Sequence, residues 1–153
     1  MQLTTKCKIL VVEDHEDTRV LIAIVLEPDY EVITAMSIAG ALALIQTHAF
    51  DLIVLDSLLI DGTGIELCKR IRETDYSTPI LFYSALAYEK DKNEAFDSGA
   101  QGYLVKPAAI PALCQAVADL VTPCQSQTRA RHRKGPCRAG QTMGAGVLRS
   151  FPR

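Results

Sequence analysis

Residues 51–56 have the sequence Asp51-Leu52-Ile53-Val54-Leu55-Asp56, an apolar run that ends abruptly in a carboxylate. Because polar residues do not alternate with apolar ones in this run, it is typical of a strand buried on both faces, the kind found in parallel sheets. Similar runs occupy residues 8–12, 79–83 and 102–105. The stretch at 51–56 therefore predicts a central strand of a parallel α/β sheet.

Segments with helical spacing of apolar residues lie between these strands. The predicted helices are 18–26, 37–48, 64–72, 89–98 and 110–121, and a further short strand is predicted at 30–35. Five alternating βα units of this length indicate a parallel sheet with right-handed crossovers and helices on both faces. We expect one domain over residues 6–122, followed by a separate tail.

Polar side chains follow each of the four apolar runs. Glu13 and Asp14 follow the first, Asp56 ends the second, Ser84 follows the third and Lys106 follows the fourth. In open α/β sheets ligands bind outside the carboxyl ends of the strands. The sequence therefore predicts one site that contains three acids, a hydroxyl and a lysine.

The three acids of this site would repel one another without a neutralising cation. Mg²⁺ takes oxygen ligands from one or two carboxylates and leaves room for phosphate oxygens. A carboxylate nucleophile, a lysine and a hydroxyl beside such an ion suit the formation of an aspartyl phosphate. We therefore expect Asp56 to accept a phosphoryl group.

Two longer motifs, together with these residues at the strand ends, resemble those of a known family. Residues 56–64 (Asp-Ser-Leu-Leu-Ile-Asp-Gly-Thr-Gly) and 99–107 (Gly-Ala-Gln-Gly-Tyr-Leu-Val-Lys-Pro) resemble the receiver domain of two-component response regulators, and the resemblance covers about residues 6–122. It implies a flavodoxin-like (βα)5 fold, a doubly wound five-stranded parallel sheet of strand order 2-1-3-4-5. The pattern departs from the family at Ile60, where proline is usual, and Asp61-Gly62 predicts a turn.

The resemblance also implies a role for each site residue. Asp56 would be the phosphoacceptor, and Mg²⁺ would be held by Glu13, Asp14, Asp56 and the backbone carbonyl of Leu58. Lys106 would contact the phosphoryl group and Ser84 would be the switch hydroxyl. Tyr103 would be the switch aromatic, rotating into space that Ser84 leaves on phosphorylation.

The implied partners are proteins. A sensor histidine kinase or a histidine phosphotransfer protein would donate the phosphoryl group, and a downstream effector protein would receive the signal. The face formed by the fourth helix, fifth strand and fifth helix would pair two copies of the chain. Catalysis would be limited to the chain's own phosphorylation and a slow dephosphorylation, since Leu58 and Leu86 cannot orient a water molecule.

Two rival functions share parts of this pattern. A Mg²⁺-dependent phosphatase with an aspartyl-phosphate intermediate needs a second acid two residues after the nucleophile, and Leu58 occupies that position. A flavin-binding electron carrier needs a Ser/Thr/Gly-rich loop after the first strand, whereas residues 13–17 are mostly acidic. The phosphatase remains the alternative, disfavoured by Leu58.

The tail and the composition bound the remaining functions. Residues 124–153 carry seven of the 16 basic residues and none of the 18 acidic ones, and we expect residues 123–153 to be disordered and without specific nucleic-acid binding. The chain has no apolar stretch near the roughly 20 residues that span a bilayer, so we expect no membrane association and a cytoplasmic location. The five cysteines lack C-x-x-C spacing, which favours reduced thiols.

Overall fold

The computed structural model describes residues 5–121 and the backbone of residues 146–148. The strands are β1 Lys8–Val12, β2 Glu31–Ala35, β3 Leu52–Leu55, β4 Leu58–Leu59, β5 Gly62–Thr63, β6 Ile80–Ser84, β7 Gly102–Val105 and β8 Gly146–Leu148. The helices are α1 Glu16–Leu26, α2 Ile38–Thr47, α3 Gly64–Arg72, α4 Glu89–Ser98 and α5 Ile110–Leu120.

Five strands form a parallel sheet in the order β2-β1-β3-β6-β7. This is the predicted order 2-1-3-4-5, counted over the strands that alternate with helices, so the predicted fold class is confirmed. Every residue of β3 and of β6 is buried, as their uninterrupted apolar sequences predict.

Alternate residues of β1 enter two separate hydrophobic cores. Leu10 and Val12 belong to the core that includes residues of α2, α3 and α4. Ile9 and Val11 belong to the core that includes residues of α1 and α5. Because successive side chains of a strand point to opposite faces, the sheet is covered by helices on both sides, as a doubly wound fold requires.

A hairpin that the sequence pattern did not predict lies between β3 and α3. Its strands β4 and β5 pair antiparallel, with Leu58 opposite Thr63, and the turn falls at Ile60–Asp61, one residue earlier than predicted. Gly62 has φ +152°, a backbone conformation that favours glycine. Thr63 then caps α3, because its hydroxyl accepts the Glu66 amide at 3.2 Å while the Glu66 carboxylate accepts the Thr63 amide at 2.8 Å.

Arg72 connects several elements at the amino-terminal edge of the sheet, opposite the predicted site. Its guanidinium donates to the carbonyls of Gly99 (3.1 and 2.9 Å), Asp75 (2.9 Å) and Thr78 (2.8 Å), and to Oε1 of Gln101 at 2.8 Å. Gly99 ends α4 with φ +114°, and a Cβ there would approach within 2.9 Å of Arg72. One side chain thus ties the end of α3 to the end of α4 and to the start of β6.

Asp75 shapes the loop between α3 and β6. Its Oδ1 accepts the amides of Ser77 (2.9 Å) and Thr78 (3.0 Å) and the Ser77 hydroxyl at 3.2 Å. Burial alone would raise the pKa of Asp75, but the hydrogen bonds from Thr78 and Ser77 outweigh it and lower the pKa below its ordinary value. The ionised carboxylate is therefore the form that holds this loop.

The structure adds a sixth strand to the sheet. The backbone of Gly146–Leu148 pairs antiparallel with β7 at the sheet edge, which differs from the disorder expected for these three residues. The rest of the tail, and the domain boundary predicted at residue 122, lie outside the described residues. None of the helices in the described part of the chain is both long and apolar enough to cross a membrane.

Candidate functional site

Two adjacent strands bring the three predicted acids together. β1 and β3 pair in parallel with Val12 opposite Leu55, so Glu13, Asp14 and Asp56 leave neighbouring strands at the same sheet edge. One carboxylate oxygen from each of the three lies within 4.8 Å of the others. Glu13 is buried, with 2% of its surface exposed, whereas Asp14 is exposed.

Lys106 reaches this acidic cluster from β7. Its backbone amide extends the ladder to the carbonyl of Ser84 at 2.8 Å, and its Nζ donates to Glu13 Oε2 and, at 3.1 Å, to Asp56 Oδ2. The ammonium also lies 5.4 Å from the ring centroid of Tyr83 on β6. A long side chain is needed here because β6 separates β7 from β3.

Burial and the neighbouring charges shift two pKa values in the cluster. Burial raises the pKa of the Glu13 carboxyl, and the hydrogen bond from Lys106 offsets this only in part. Burial alone would lower the pKa of Lys106, but the hydrogen bond to Glu13 and the charge of Asp56 outweigh it and raise the pKa. Lys106 is therefore held as a cation against the acids, where it could also face the oxygens of a phosphoryl group.

The acidic cluster fits a hard divalent cation. All its side-chain donors are carboxylate oxygens, the ligand type that Mg²⁺ prefers, and Leu58, whose backbone carbonyl was predicted to assist, follows Asp56 by two residues in β4. Among the acidic, histidine and cysteine side chains of residues 5–121, these three acids form the one group of three or more that is spaced closely enough to share a metal ion.

Ser84 and Tyr103, the two predicted switch residues, both contact the backbone of Leu86. The Ser84 hydroxyl accepts the Leu86 amide at 3.2 Å, and the Tyr103 hydroxyl donates to the Leu86 carbonyl at 2.7 Å. Tyr103 is 1% exposed and its ring lies parallel to that of Phe82, with 5.9 Å between centroids. The ring is thus already turned inward in this structure, and its rotation on phosphorylation stays a prediction.

Sequence reasoning missed two residues that position the site. The Arg19 guanidinium on α1 donates to the carbonyls of Glu13 (2.9 Å) and Asp14 (3.4 Å) and so fixes the loop that carries the acidic pair. The Ser57 amide donates to Asp56 Oδ1 at 2.6 Å. Arg19 follows Glu13 by six residues and Asp14 by five, and this closeness in the sequence was the one signal for its role.

Comparison with known proteins places this site in a family. A family model described as the response regulator receiver domain matches residues 9–118. The nisin biosynthesis regulatory protein NisR of Lactococcus lactis is 36% identical over 126 residues, which is 82% of this chain and 53% of that protein. The alkaline phosphatase synthesis transcriptional regulatory protein PhoP of Bacillus subtilis is 43% identical over 101 residues, 65% of this chain and 42% of that protein.

Solved structures agree with these relatives. The chemotaxis response regulator CheY4 of Vibrio cholerae has a TM-score of 0.72 and 32% identity, covering 76% of this chain and 100% of that one. A Francisella response regulator receiver domain has a TM-score of 0.72 and 31% identity, covering 80% and 99%. The chain spans about half the length of the curated relatives it matches.

The chain belongs to the family of response regulator receiver domains, the phosphoacceptor modules of two-component signalling. The predicted family is therefore confirmed. The acidic cluster of this receiver domain could bind a metal ion.

Proposed function

We propose that Asp56 is the phosphoacceptor of this receiver and takes its phosphoryl group from a phosphohistidine. The observation that carries the proposal is the pairing of the Asp56 carboxylate with Lys106 inside an acidic cluster at the carboxyl edge of the sheet. A carboxylate oxygen of Asp56 forms a bond to phosphorus while the bond from phosphorus to the donor imidazole nitrogen breaks, and the imidazole leaves with that electron pair.

The side chains around Asp56 stabilise charge during this transfer. Mg²⁺ held by Glu13, Asp14, Asp56 and the Leu58 carbonyl would supply positive charge for the phosphoryl oxygens. The Lys106 ammonium, already within 3.1 Å of Asp56 Oδ2, moves with little rearrangement to a phosphoryl oxygen. The pairing that holds Lys106 before transfer thus becomes a phosphate contact after it.

Ser84 would couple phosphorylation of Asp56 to the positions of Leu86 and Tyr103. Its hydroxyl now accepts the Leu86 amide, and a hydrogen bond from that hydroxyl to a phosphoryl oxygen would draw residue 86 toward the site. Because Tyr103 is bonded to the carbonyl of the same residue, its ring is coupled to the movement. Ser84→Ala should accept phosphate but leave the nuclear magnetic resonance (NMR) signals of Tyr103 unchanged on phosphorylation; a normal shift in that variant would contradict the coupling.

The proposed partners follow from the chemistry and from the relatives. A histidine kinase or histidine phosphotransfer protein supplies the phosphohistidine, and an effector protein reads the altered face. The relatives' names describe regulatory proteins, several of them transcriptional, so the proposed effector is one that controls transcription. A second copy of the chain would pair through the face of α4, β7 and α5, which in this structure also carries β8 on the free edge of β7. The phosphatase alternative stays disfavoured by Leu58.

Intact mass spectrometry after incubation with acetyl phosphate tests the proposal. The wild type should gain the mass of one phosphoryl group with Mg²⁺ and none with a chelator. Asp56→Asn should gain none, whereas Asp97→Asn, which changes an exposed aspartate on α4, should behave as the wild type. A phosphoryl group that is still acquired by Asp56→Asn would refute the assignment.

A further inference from the structure

The amino terminus of α2 is capped by two side chains from different parts of the chain. Ser37 accepts the Gly40 amide at 3.0 Å, as a local cap does. The Asp61 carboxylate, at the turn of the β4–β5 hairpin, accepts the Ile38 amide at 2.8 Å and the Ala39 amide at 3.1 Å. Asp61 therefore satisfies two helix amides that Ser37 leaves unbonded.

These contacts also favour the ionised form of Asp61. Hydrogen bonds from the Ile38 and Ala39 amides lower the pKa of the carboxyl, and the positive end of the α2 dipole acts in the same direction. At neutral pH the cap is a charge-assisted one, which is stronger than a neutral hydrogen bond.

The hairpin also packs against α2, but it buries little large apolar surface in doing so. Leu58 and Ile60 are 57% and 78% exposed, so the hairpin buries Leu59 but little of its other large apolar surface. Gly62 lies so close to α2 that an added Cβ would come within 2.7 Å of Ile38 Cδ1. The hairpin is thus packed tightly against the first turn of α2, and Asp61 supplies the hydrogen bonds across that contact.

We propose that Asp61 is a positioning residue of the metal site: by docking the hairpin on α2 it fixes the backbone of Leu58 beside Asp56. The metal part of this inference rests on the proposed function, which gives the Leu58 carbonyl to Mg²⁺. Release of Asp61 leaves the three carboxylates in place but frees the hairpin, and a ligand that must first be ordered binds the ion more weakly.

Three alanine variants separate positioning from helix capping. Asp61→Ala removes the cap that joins hairpin and helix, Ser37→Ala removes a cap of the same helix without touching the hairpin, and Asp97→Ala removes an exposed carboxylate elsewhere. Mg²⁺ alone is titrated into each protein and followed by NMR. Outer-shell substitutions typically weaken metal binding by about tenfold or more, and we expect about three- to tenfold for Asp61→Ala and less than about twofold for the two controls.

A second readout needs no metal. Amide exchange of Ile38, Ala39 and Thr63 should accelerate in Asp61→Ala, while Ser37→Ala should accelerate Gly40 without affecting Thr63. Asp61→Asn, which keeps one acceptor oxygen, should fall between the wild type and Asp61→Ala in both measurements, and it serves as the test variant if the alanine form does not fold.

The outcomes distinguish this inference from the proposed function. If the wild type binds Mg²⁺ and Asp61→Ala binds it equally well, the positioning role is overturned while the proposed function stands. If the wild type neither binds Mg²⁺ nor acquires a phosphoryl group, the proposed function fails and the metal part of the inference fails with it. Unchanged exchange at Thr63 in Asp61→Ala would overturn the docking of the hairpin itself.

Discussion

Replacement of Lys106 by methionine should destabilise the protein in a way that Mg²⁺ corrects. Methionine keeps an unbranched apolar side chain of similar length but removes the ammonium that pairs with Glu13 and with Asp56. Without that charge, the clustered carboxylates of Glu13, Asp14 and Asp56 face one another without a neighbouring cation from β7.

The magnitude follows from the contact distance and the exposure. At the 3.1 Å between Lys106 Nζ and Asp56 Oδ2, an effective dielectric constant of about 20 gives a gross attraction of about 5 kcal/mol. The cost of dehydrating the ammonium offsets part of this, and the loss of one partner from a fully buried pair costs about 3–5 kcal/mol. Because the Lys106 side chain is 17% exposed, we expect a loss of about 2–3 kcal/mol in the free energy of unfolding.

The sign of the Mg²⁺ effect makes the prediction specific. A bound divalent cation replaces the missing charge, so the loss should fall below about 1 kcal/mol when Mg²⁺ is saturating. By reciprocity the variant should bind Mg²⁺ about tenfold more tightly than the wild type, since 1.4 kcal/mol corresponds to a factor of about ten.

Urea unfolding with a chelator and with saturating Mg²⁺ measures both quantities. Lys8→Met is the matched control, because Lys8 pairs at 3.5 Å with Glu31, which is half exposed, at the opposite end of β1. It should lose less than about 1 kcal/mol, equally with and without Mg²⁺. The reasoning is refuted if Lys106→Met is as stable as the wild type in chelator, or if its loss is the same at saturating Mg²⁺.

Three further predictions concern the switch, the lifetime of the phosphorylated state and the pH dependence of stability. Tyr103→Phe leaves the Leu86 carbonyl without its hydroxyl donor and should lower the free energy of unfolding by about 1–2 kcal/mol, measured in the same urea experiment. The control Tyr76→Phe changes an exposed ring and should alter this free energy by less than about 0.5 kcal/mol. Because Leu58 and Leu86 cannot hydrogen-bond an attacking water, the phosphorylated wild type should persist on the order of tens of minutes or longer, and the double replacement by Asn and Glu should speed its decay by at least about tenfold; decay of the wild type within seconds, followed by intact mass, would contradict this. The pKa of Asp75 is depressed below its ordinary value of 3.8, so the difference in stability between the wild type and Asp75→Asn should be complete at neutral pH and should disappear as the pH falls through the pKa of Asp75 in the folded protein. A difference that is unchanged at pH 2 in urea titrations would exclude the depressed pKa.

The parallel strands and the site could both be predicted from the apolar runs and the polar residues that follow them. Apolar runs such as Leu52–Leu55 are long enough to identify a buried strand, and parallel strands place whatever follows them at a common edge. The meeting of Glu13, Asp56 and Lys106, more than 90 residues apart at the extremes, could therefore be inferred without any long-range signal.

The features that the sequence did not predict depend on contacts between distant residues or on very short elements. β4 and β5 have two residues each, too few to show an alternating pattern. Asp61 caps a helix 22 and 23 residues earlier in the chain, and no local motif marks a cap supplied by another element. The pairing of Gly146–Leu148 with β7 likewise depends on where a separate segment meets an open sheet edge.

The contacts of Arg72 hold the amino-terminal edge of the sheet more firmly than the carboxyl edge is held. At the amino-terminal edge a single guanidinium binds three carbonyls from two separate stretches of chain, so a displacement of α3, α4 or the start of β6 there would break several hydrogen bonds at once. At the carboxyl edge, residue 86 is held by one bond to Ser84 and one to Tyr103. A structural change that starts at Asp56 should therefore displace the end of α4 near residue 86 more than the end at Gly99. We expect α4 to rotate about Gly99.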